Sequence, residues 1–484
     1  MKKNKLVSWL FFLALFLIFL LPPTDPDLGW HLRCGQEIWQ KHSLCSQNQF
    51  TVLLANYHWP NHYWLYQAVI FPVFQVFGLW GLTIFNAFLM SSAFLFFYWA
   101  IKNYLLEKIF AIAVIIFLGW GVFSFGIRSQ EISFFFFSLI LYLATSLRQK
   151  PVIAVFCPFI FLLWANMHGG SVILGLILLS FIFLSFIASS LNQPKKIVFL
   201  IIIYLLSALT TLANPFGPAI YQEAWRHFAG VDLSKLIAEW VPPTPFLWWL
   251  IIASTVGLVF ILLSEGKLKN ISSVFFILPF TFLALKARRN IPFYFLIWAY
   301  LLLTLSTMEN ILNSWSRKKS LQTDLPVLTI MFLLAFTLLF RLPFTIQASS
   351  SWQNYCREGQ VVYPCQAIEF LKKQPASRRG NIFNRYEWGG FLIWQLPKFK
   401  IFVDGRMPAW SHPSGKSPYT IYLETLQTQP GWQETLDDYN INWILISPGT
   451  FLDLLLRPDS ARFGWQEVYR DKISVVYKRK ILSE

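Results

Sequence analysis

Long apolar runs alternate with short polar segments over the first 344 residues. A helix needs about 20 mainly apolar residues to cross about 30 Å of hydrocarbon, and eleven runs approach that length. The pattern predicts an α-helical polytopic membrane protein with about eleven transmembrane helices. The predicted spans lie near 6–21, 79–101, 109–125, 132–147, 152–165, 171–191, 197–213, 246–263, 271–285, 291–308 and 325–342.

The first run is predicted to be an uncleaved anchor, because it follows three lysines, is long, and precedes no small-residue cleavage site. The segment 63–77 is apolar but short. If it lies on the membrane surface, inner loops carry 14 Lys and Arg and outer segments 8; if it crosses, the counts become 9 and 13. The positive-inside rule favours the surface position. We therefore expect a protein of the inner (plasma) membrane with a cytoplasmic N-terminus and an external first loop, 22–78.

The pattern changes after residue 344, where charged residues rise from about 10% to about 21% of the chain. Short β-like runs alternate there with helical stretches, which predicts a soluble extracytoplasmic α/β domain over 345–484, after a transmembrane domain over 1–344. The predicted strands are Asn381–Asn384, Lys400–Asp404, Asn442–Ser447, Gln466–Tyr469 and Ile473–Tyr477, and the predicted helices lie near 364–374, 418–428, 430–439 and 449–457.

Composition excludes two other classes of protein. With 56% hydrophobic and 13% charged residues, the chain is no ordinary soluble enzyme. The net charge of +16 indicates no nucleic-acid partner, because the basic residues are dispersed at the ends of apolar runs. Cysteine spacing leaves two alternatives open, either local disulfides Cys34–Cys45 and Cys356–Cys365 or four unpaired thiols.

With that topology, the unusual polar residues of the membrane domain all fall on the external side, which favours one site there. Each has a structural alternative: Asp25 and Asp27 as a helix cap, the arginines as headgroup anchors, and the glycines beside His168 as helix packing. Asp, His and Arg together suit group transfer from a phosphate-linked donor, since Asp accepts a proton and Arg neutralises phosphate. The candidates are Asp25, Asp27 and His31 for catalysis, and Arg128, Asn166, His168, Glu239, Arg288 and Arg289 for the donor phosphate or substrate.

Known phosphate and zinc motifs are missing from the sequence. It contains no Gly-rich phosphate loop, no Cys-x-x-Cys pair and no His-Glu-x-x-His motif, which argues against nucleotide hydrolysis and zinc proteolysis. In the tail, Tyr386, Glu387, Asp404 and Arg406 follow predicted strands and are candidates for acceptor binding. The alternative for Asp404-Gly-Arg406 is a salt-bridged turn.

The order of these features resembles the GT-C superfamily of membrane glycosyltransferases, which includes protein O-mannosyltransferases, lipid A aminoarabinose transferases and oligosaccharyltransferases. More closely, the motifs look like those of a large group of bacterial GT-C-like multi-pass proteins. The matching motifs are Asp25-Pro-Asp27-x-x-Trp30-His31-Leu-x-x-Gly35, Trp164-Ala-Asn166-x-His168-Gly-Gly, Asn214-Pro-Phe-Gly217, Glu239-Trp240, Arg288-Arg289-Asn290, Tyr386-Glu-Trp-Gly389-Gly390 and Asp404-Gly405-Arg406.

The resemblance implies a glycosyltransferase with a polyprenyl-phosphate sugar as donor, an envelope acceptor of unknown identity, and inverting transfer beside the membrane lipids. It also implies that an acidic residue after the first span acts as base or metal ligand. That role falls on Asp25 or Asp27, with Asp27 preferred because it shares a helical face with His31, and Asp25 would then cap the helix or assist. Both are candidate ligands of a divalent cation, Mg²⁺ or Mn²⁺. Two alternatives stay open, a non-catalytic membrane scaffold and a lipid-carrier flippase or transporter; the flippase predicts internal repeats and midplane polar residues, and we see neither.

Overall fold

The computed structural model describes residues 2–101, 105–147, 150–188, 192–230, 237–264, 268–304, 319–358, 362–375, 380–408 and 410–480. They form two compact units. The membrane unit comprises Met1–Leu21, Thr83–Ala224 and Asp232–Thr345. The second unit, named the external unit after the position predicted for its residues, comprises Pro22–Leu82, Trp225–Val231 and Ile346–Glu484.

The membrane unit is built from apolar helices. Its core is aromatic: the ring of Phe134 packs edge-on against Phe123 at 5.1 Å and tilted against Phe94 at 5.3 Å. Some helix hydroxyls are satisfied within their own helix, as where the Ser207 hydroxyl donates to the Ile203 carbonyl at 2.7 Å, which suits a hydrocarbon environment. The α-helices that lie wholly within it are Lys2–Ile18, Leu105–Phe123, Ser129–Leu147, Cys157–Met167, Val172–Ala188, Pro194–Thr210, Pro245–Ser264, Leu268–Lys286, Ile291–Leu303 and Lys319–Phe336. The helices Trp64–Ala100, Ala219–Trp225 and Leu342–Ser350 contain residues of both units.

Four helical segments among the described residues are long and apolar enough to cross a membrane, and four further apolar helices are shorter. The predicted count of about eleven spans is therefore not confirmed. Part of the difference arises because the structure does not describe every predicted span in full. Residues 305–308 of the predicted span 291–308 fall outside the described residues. The long segments are Trp64–Ala100, Gly169–Ile187, Ala238–Ser264 and Leu328–Ser350.

A kink divides the helix Trp64–Ala100. Gly78 has φ 62° and ψ −152°, a conformation that glycine adopts without the steric cost of a Cβ. It falls between the segment 63–77, predicted to lie on the surface, and the predicted span 79–101. The chain therefore changes direction at the position where the sequence predicted two separate segments.

The external unit contains a five-stranded mixed sheet of order β2-β1-β3-β5-β4. Strand β1 pairs in parallel with β2 and β3, and β5 pairs antiparallel with β3 and β4. The predicted alternation of strands and helices is confirmed, although β2 is shorter than expected. The strands are β1 Asn381–Asn384, β2 Lys400–Ile401, β3 Ile441–Ile446, β4 Trp465–Arg470 and β5 Val475–Arg479. The helices of this tail are Trp352–Glu358, Cys365–Lys372, Gly389–Gln395, Pro418–Leu426, Trp432–Asp438 and Phe451–Leu456.

The first loop belongs to the external unit and extends its sheet. Thr51 forms a parallel bridge with Ile401 of β2, and Val52 N–H donates to the Ile401 carbonyl at 2.9 Å. The loop also contains the first-loop helix, Leu28–Lys41. It packs against the helix Gly389–Gln395, where a Cβ on Gly29 would overlap the Gly390 carbonyl. The domain boundary at residue 344 stays a prediction, but the compact units group the loop with the tail.

Two disulfides lie in the external unit. Cys34 is bonded to Cys45 and Cys356 to Cys365, with Cα–Cα distances of 5.5 Å and 6.3 Å, while Cys157 is free and buried. This decides between the two alternatives left open by the spacing.

Candidate functional site

The acidic pair of the first loop lies immediately before the first-loop helix. Asp27 occupies the N-cap position, yet its side chain makes no capping hydrogen bond. One carboxylate oxygen of Asp25 instead accepts from the Asp27 N–H at 3.3 Å. Asp25 is 3% exposed, while Asp27 keeps partial exposure. Helix capping therefore explains Asp25 in part and does not explain the Asp27 side chain.

Glycines of the tail bring backbone against Asp27 and the preceding Pro26. A Cβ on Gly405 would overlap the Asp27 Oδ1 and lie 2.8 Å from the Asp27 Cγ, and one on Gly390 would overlap the Pro26 carbonyl oxygen and lie 3.3 Å from the Asp27 Cα. Only a residue without a side chain allows such an approach. The position of Asp27 is therefore set by tail residues more than 360 positions away in the sequence.

The negative charge of the acidic pair contributes to a raised pKa at three tyrosines. Burial, and then the charge of Asp25, raise the pKa of Tyr355. Burial, followed by Tyr355 and the charge of Asp25, raises the pKa of Tyr363 well above its usual value. Burial, followed by the charges of Asp27 and Asp404, raises the pKa of Tyr386 well above its usual value. All three phenols therefore stay protonated near neutral pH. Tyr386 was predicted from the sequence, and the other two were not.

Asp404 and Arg406 form a buried ion pair. Arg406 Nη2 donates to Asp404 Oδ2 at 2.7 Å and Nε donates to Oδ1 at 2.8 Å, and both side chains are 0% exposed. The guanidinium also donates to Asn48 Oδ1 at 3.2 Å. It lies among four aromatic rings, at 5.1 Å from Phe50, 5.5 Å from Trp410, 5.8 Å from Trp59 and 5.9 Å from Trp30. The salt-bridged turn, one of the two sequence alternatives, describes this geometry.

His31 lies in a buried aromatic cage. Its ring packs on Trp30 with centroids 3.6 Å apart and edge-on against Tyr66 at 5.1 Å. Gln67 Nε2 lies 3.2 Å from His31 Nδ1, and the Gln67 side chain is in turn paired with Asn61. Although His31 follows Asp27 by one helical turn, these contacts hold its ring within the loop.

In the membrane unit, two arginines converge on one carboxylate. Arg128 Nη1 donates to Glu239 Oε2 at 2.8 Å, and Arg289 Nη1 lies 3.4 Å from Oε1. Arg289 also donates to the Gln130 side chain at 2.7 Å. The side chains of Arg128 and Arg289 are 13% and 18% exposed. This arginine cluster, comprising Arg128, Arg289, Glu239 and Gln130, carries a net positive charge, and Gln130 is the member that sequence reasoning missed.

The remaining candidates of the membrane unit have local partners. Arg288 is exposed and donates through Nε to the Pro242 carbonyl at 3.2 Å. The Asn166 amide donates to the carbonyls of Leu162 and Ala213, which suits a role in closing helix ends. His168 lies 2.7 Å through Nδ1 from the Ser133 hydroxyl, which also accepts from the Trp164 indole.

Three comparisons place this geometry among known proteins. No family model matches the sequence, and no curated protein matches it. Solved structures do match. The oligosaccharyltransferase AglB from Archaeoglobus fulgidus, solved with an inhibitory peptide and a dolichol-phosphate, has TM-score 0.57 at 13% identity and covers 92% of this chain and 70% of its own. ArnT from Cupriavidus metallidurans, in the apo state, has TM-score 0.52 at 12% identity and covers 99% and 98%. This chain has the GT-C fold.

A third structure bears on metal binding. The Archaeoglobus oligosaccharyltransferase was also solved in complex with Zn and sulfate, and that structure has TM-score 0.53 at 13% identity, covering 96% of this chain and 72% of its own. Among the described residues of this GT-C-fold chain, no group of three or more His, Cys, Asp or Glu side chains gathers at one point. Asp25 and Asp27 provide two carboxylates.

Within each unit of this GT-C fold, some predicted residues come together and others do not. The external unit gathers Asp25 and Asp27 with Tyr386 and Asp404. The membrane unit gathers the arginine cluster and keeps Arg288 out of it. Glu387, although next to Tyr386, instead pairs with Arg385 at 2.8 Å.

Proposed function

We propose that this protein is a membrane glycosyltransferase that transfers a sugar from a polyprenyl-phosphate-linked donor to an envelope acceptor on the extracytoplasmic side. The carrying observation is the acidic pair, whose position is fixed by glycines of the tail, in a chain with the GT-C fold. The neighbours AglB, an oligosaccharyltransferase solved with dolichol-phosphate, and ArnT support the proposal at the level of the fold.

In the proposed reaction, a hydroxyl or amine of the acceptor attacks the anomeric carbon of the donor. The bond between that carbon and the phosphate oxygen breaks, and polyprenyl phosphate leaves with the bonding electrons. Asp27 accepts the acceptor's proton, since the residue is partly exposed and its side chain makes no capping hydrogen bond. Asp25 assists by accepting a hydrogen bond from the Asp27 backbone N–H, which holds the backbone of the proposed base. A single displacement inverts the sugar configuration.

The arginine cluster is the proposed contact for the donor phosphate. Arg128 and Arg289 share one carboxylate, so the cluster retains positive charge that a phosphate can neutralise. Both guanidinium groups lie on aromatic rings, Arg128 at 4.8 Å from Phe125 and Arg289 at 4.8 Å from Trp240. These rings fix the planes of the guanidinium groups, which favours bidentate binding of phosphate oxygens.

The acidic pair also suits a hard divalent cation. Mg²⁺ is commonly bound through one or two carboxylates, with waters and substrate phosphate completing its six ligands, so Asp25 and Asp27 fit it. A bound Mg²⁺ or Mn²⁺ would stabilise negative charge on the departing phosphate. A structural zinc site, which uses four nitrogen or sulfur ligands, does not fit these two residues.

The test is sugar transfer by the purified protein in nanodiscs, supplied with a lipid-linked donor. We expect Asp27→Asn and Asp25→Asn to lose transfer, and Asp438→Asn, an exposed acid on the helix Trp432–Asp438, to retain it. If both first-loop variants transfer sugar as well as the wild type, the acidic pair is not the site.

A further inference from the structure

A pocket of about 250 Å³ opens in the external unit, apart from the acidic pair. Its lining combines leucine and isoleucine residues with two tyrosines and a small set of polar groups. The polar and aromatic lining residues are Arg385, Glu387, Tyr419, Tyr422, Ser447 and Thr450. An apolar surface with a few convergent polar groups is the usual composition of a small-molecule site.

The position of the pocket in the sheet supports the same conclusion. Arg385 directly follows β1 and Ser447 directly follows β3, and these two strands are parallel neighbours. From β1 the chain goes to β2 on one side and then to β3 on the other, so the strand order reverses between β1 and β3. In open α/β sheets, ligands bind outside the carboxyl ends of the strands at such a reversal. We call it the switch-point pocket.

The charges in the switch-point pocket are balanced. Arg385 Nε donates to Glu387 Oε2 at 2.8 Å, and its Nη1 donates to the Ser447 hydroxyl at 2.7 Å. The two charged side chains are 42% and 40% exposed, so a ligand can reach them. Since one Arg and one Glu cancel, the pocket offers donors and acceptors without net charge, which disfavours an anionic ligand.

This combination fits a sugar ring. Vicinal hydroxyls donate and accept hydrogen bonds at once, which matches a guanidinium beside a carboxylate. The less polar face of a sugar ring packs on aromatic side chains, and the Tyr419 and Tyr422 rings lie 5.7 Å apart. We propose that the switch-point pocket binds a neutral sugar ring, and that this ring belongs to a glycan acceptor. The acceptor part rests on the proposed function, whereas sugar binding does not.

The pocket adjoins the acidic site along the chain. Arg385 and Glu387 flank Tyr386, whose backbone N–H donates to the Tyr422 hydroxyl at 3.2 Å. The turn Tyr386–Trp388 therefore presents Tyr386 to Asp27 and Asp404, and presents Glu387 to the pocket. A sugar held there lies beside Glu387, the residue next to Tyr386, whose pKa is raised in part by the charge of the proposed base Asp27.

The experiment is saturation-transfer NMR on the full chain in nanodiscs, with a panel of neutral methyl glycosides and without donor. We expect binding by the wild type, and loss of about tenfold in affinity for Tyr419→Ala and Glu387→Gln. Tyr419→Phe should keep most of the affinity because it keeps the ring. The matched control is Tyr469→Ala on β4, a partly buried tyrosine outside the pocket. Thermal unfolding verifies that each variant is folded.

Each outcome separates the pocket from the proposed function. Saturation transfer to no glycoside, equal affinity in all variants, or displacement by inorganic phosphate but by no glycoside overturns the pocket proposal. Asp27→Asn should bind glycosides like the wild type while losing transfer. Tyr419-dependent binding in a protein that transfers no sugar leaves sugar binding standing and overturns only the acceptor assignment. Transfer without glycoside binding overturns sugar binding in the pocket and leaves the proposed function standing.

Discussion

Adding a single methyl group at Gly405 tests how the acidic pair is positioned. The φ of Gly405 lies outside the left-handed region, so alanine is compatible with its backbone. The added Cβ would overlap the Asp27 Oδ1 and would lie 2.8 Å from the Asp27 Cγ and 3.0 Å from Oδ2, well inside the usual separation of about 3.5–4.0 Å. The short Asp27 side chain must therefore retreat by on the order of 1 Å.

The expected cost differs between stability and activity. Overpacking costs about 1–3 kcal/mol where neighbours shift partly, so we expect Gly405→Ala to fold with a lowered unfolding temperature. A displacement of about 1 Å in a catalytic group costs on the order of 100-fold in rate, so transfer should fall about that much. The assay is the initial rate of sugar transfer from a lipid-linked donor, with thermal unfolding measured in the same nanodiscs.

Gly257→Ala is the matched control, because no atom of the described residues lies within 4 Å of a Cβ added there. Gly257 lies inside the helix Pro245–Ser264, where alanine is the better helix former, so stability should rise slightly and transfer should not change. If Gly405→Ala transfers sugar at the wild-type rate and unfolds at the wild-type temperature, Gly405 does not hold Asp27 in place.

Three further predictions concern the stability and the topology of the chain. Arg406→Met should lower the free energy of unfolding by about 3–5 kcal/mol, because it leaves a fully buried carboxylate unpaired. Arg385→Met removes one partner of a half-exposed pair and should lower it by about 0–1 kcal/mol. Equal unfolding temperatures of the two variants would contradict this prediction. Burial acts to raise the pKa of Asp453, but hydrogen bonds from neighbouring donors outweigh it and lower the pKa below 3.8. The stabilising contribution of Asp453 is therefore present above about pH 4 and is lost as the pH falls through the folded-state pKa. Hydrogen exchange of the helix Phe451–Leu456 should therefore accelerate in acid, and in Asp453→Asn it should be faster already at pH 7. Identical exchange of the variant and the wild type at pH 7 would refute this prediction. Under non-reducing conditions a maleimide should label only Cys157, and only after unfolding, because Cys157 is free and buried and the other four cysteines are in disulfides. Labelling of any other cysteine would argue against the two disulfides and against an external first loop.

The fold could be predicted from the sequence wherever local pattern decides it. Strand β1, Asn381–Asn384, was predicted with its observed bounds, because a short apolar run between turn residues has few alternatives. The place of residues 22–82 in the external unit could not be predicted. It depends on close backbone approach at Gly29 and Gly390 and on the bridge at Thr51, which leave no periodic signal in the sequence.

The candidate site was predictable only in part, for similar reasons. Asp25 and Asp27 stand out as acids after an apolar run, and Arg128 stands out against the charge bias. Tyr363 and Gln130 carry no such contrast, since an uncharged residue becomes part of a site only through its neighbours. Asp404 and Arg406 were recognised as a pair, but their complete burial depends on aromatic rings from the first loop.

The use of glycines around Asp27 has a chemical consequence. A side chain large enough to hold the acid by direct packing would also cover its oxygens or compete for them by hydrogen bonding. Backbone at Gly390 and Gly405 lies against the segment Pro26–Asp27, and no side chain at these two positions competes for the Asp27 oxygens. A base needs both a fixed position and an open face for its proton donor. In the proposed glycosyltransferase, the tail is therefore a structural component of the site of the proposed base, and changes at its glycines should lower transfer as well as stability.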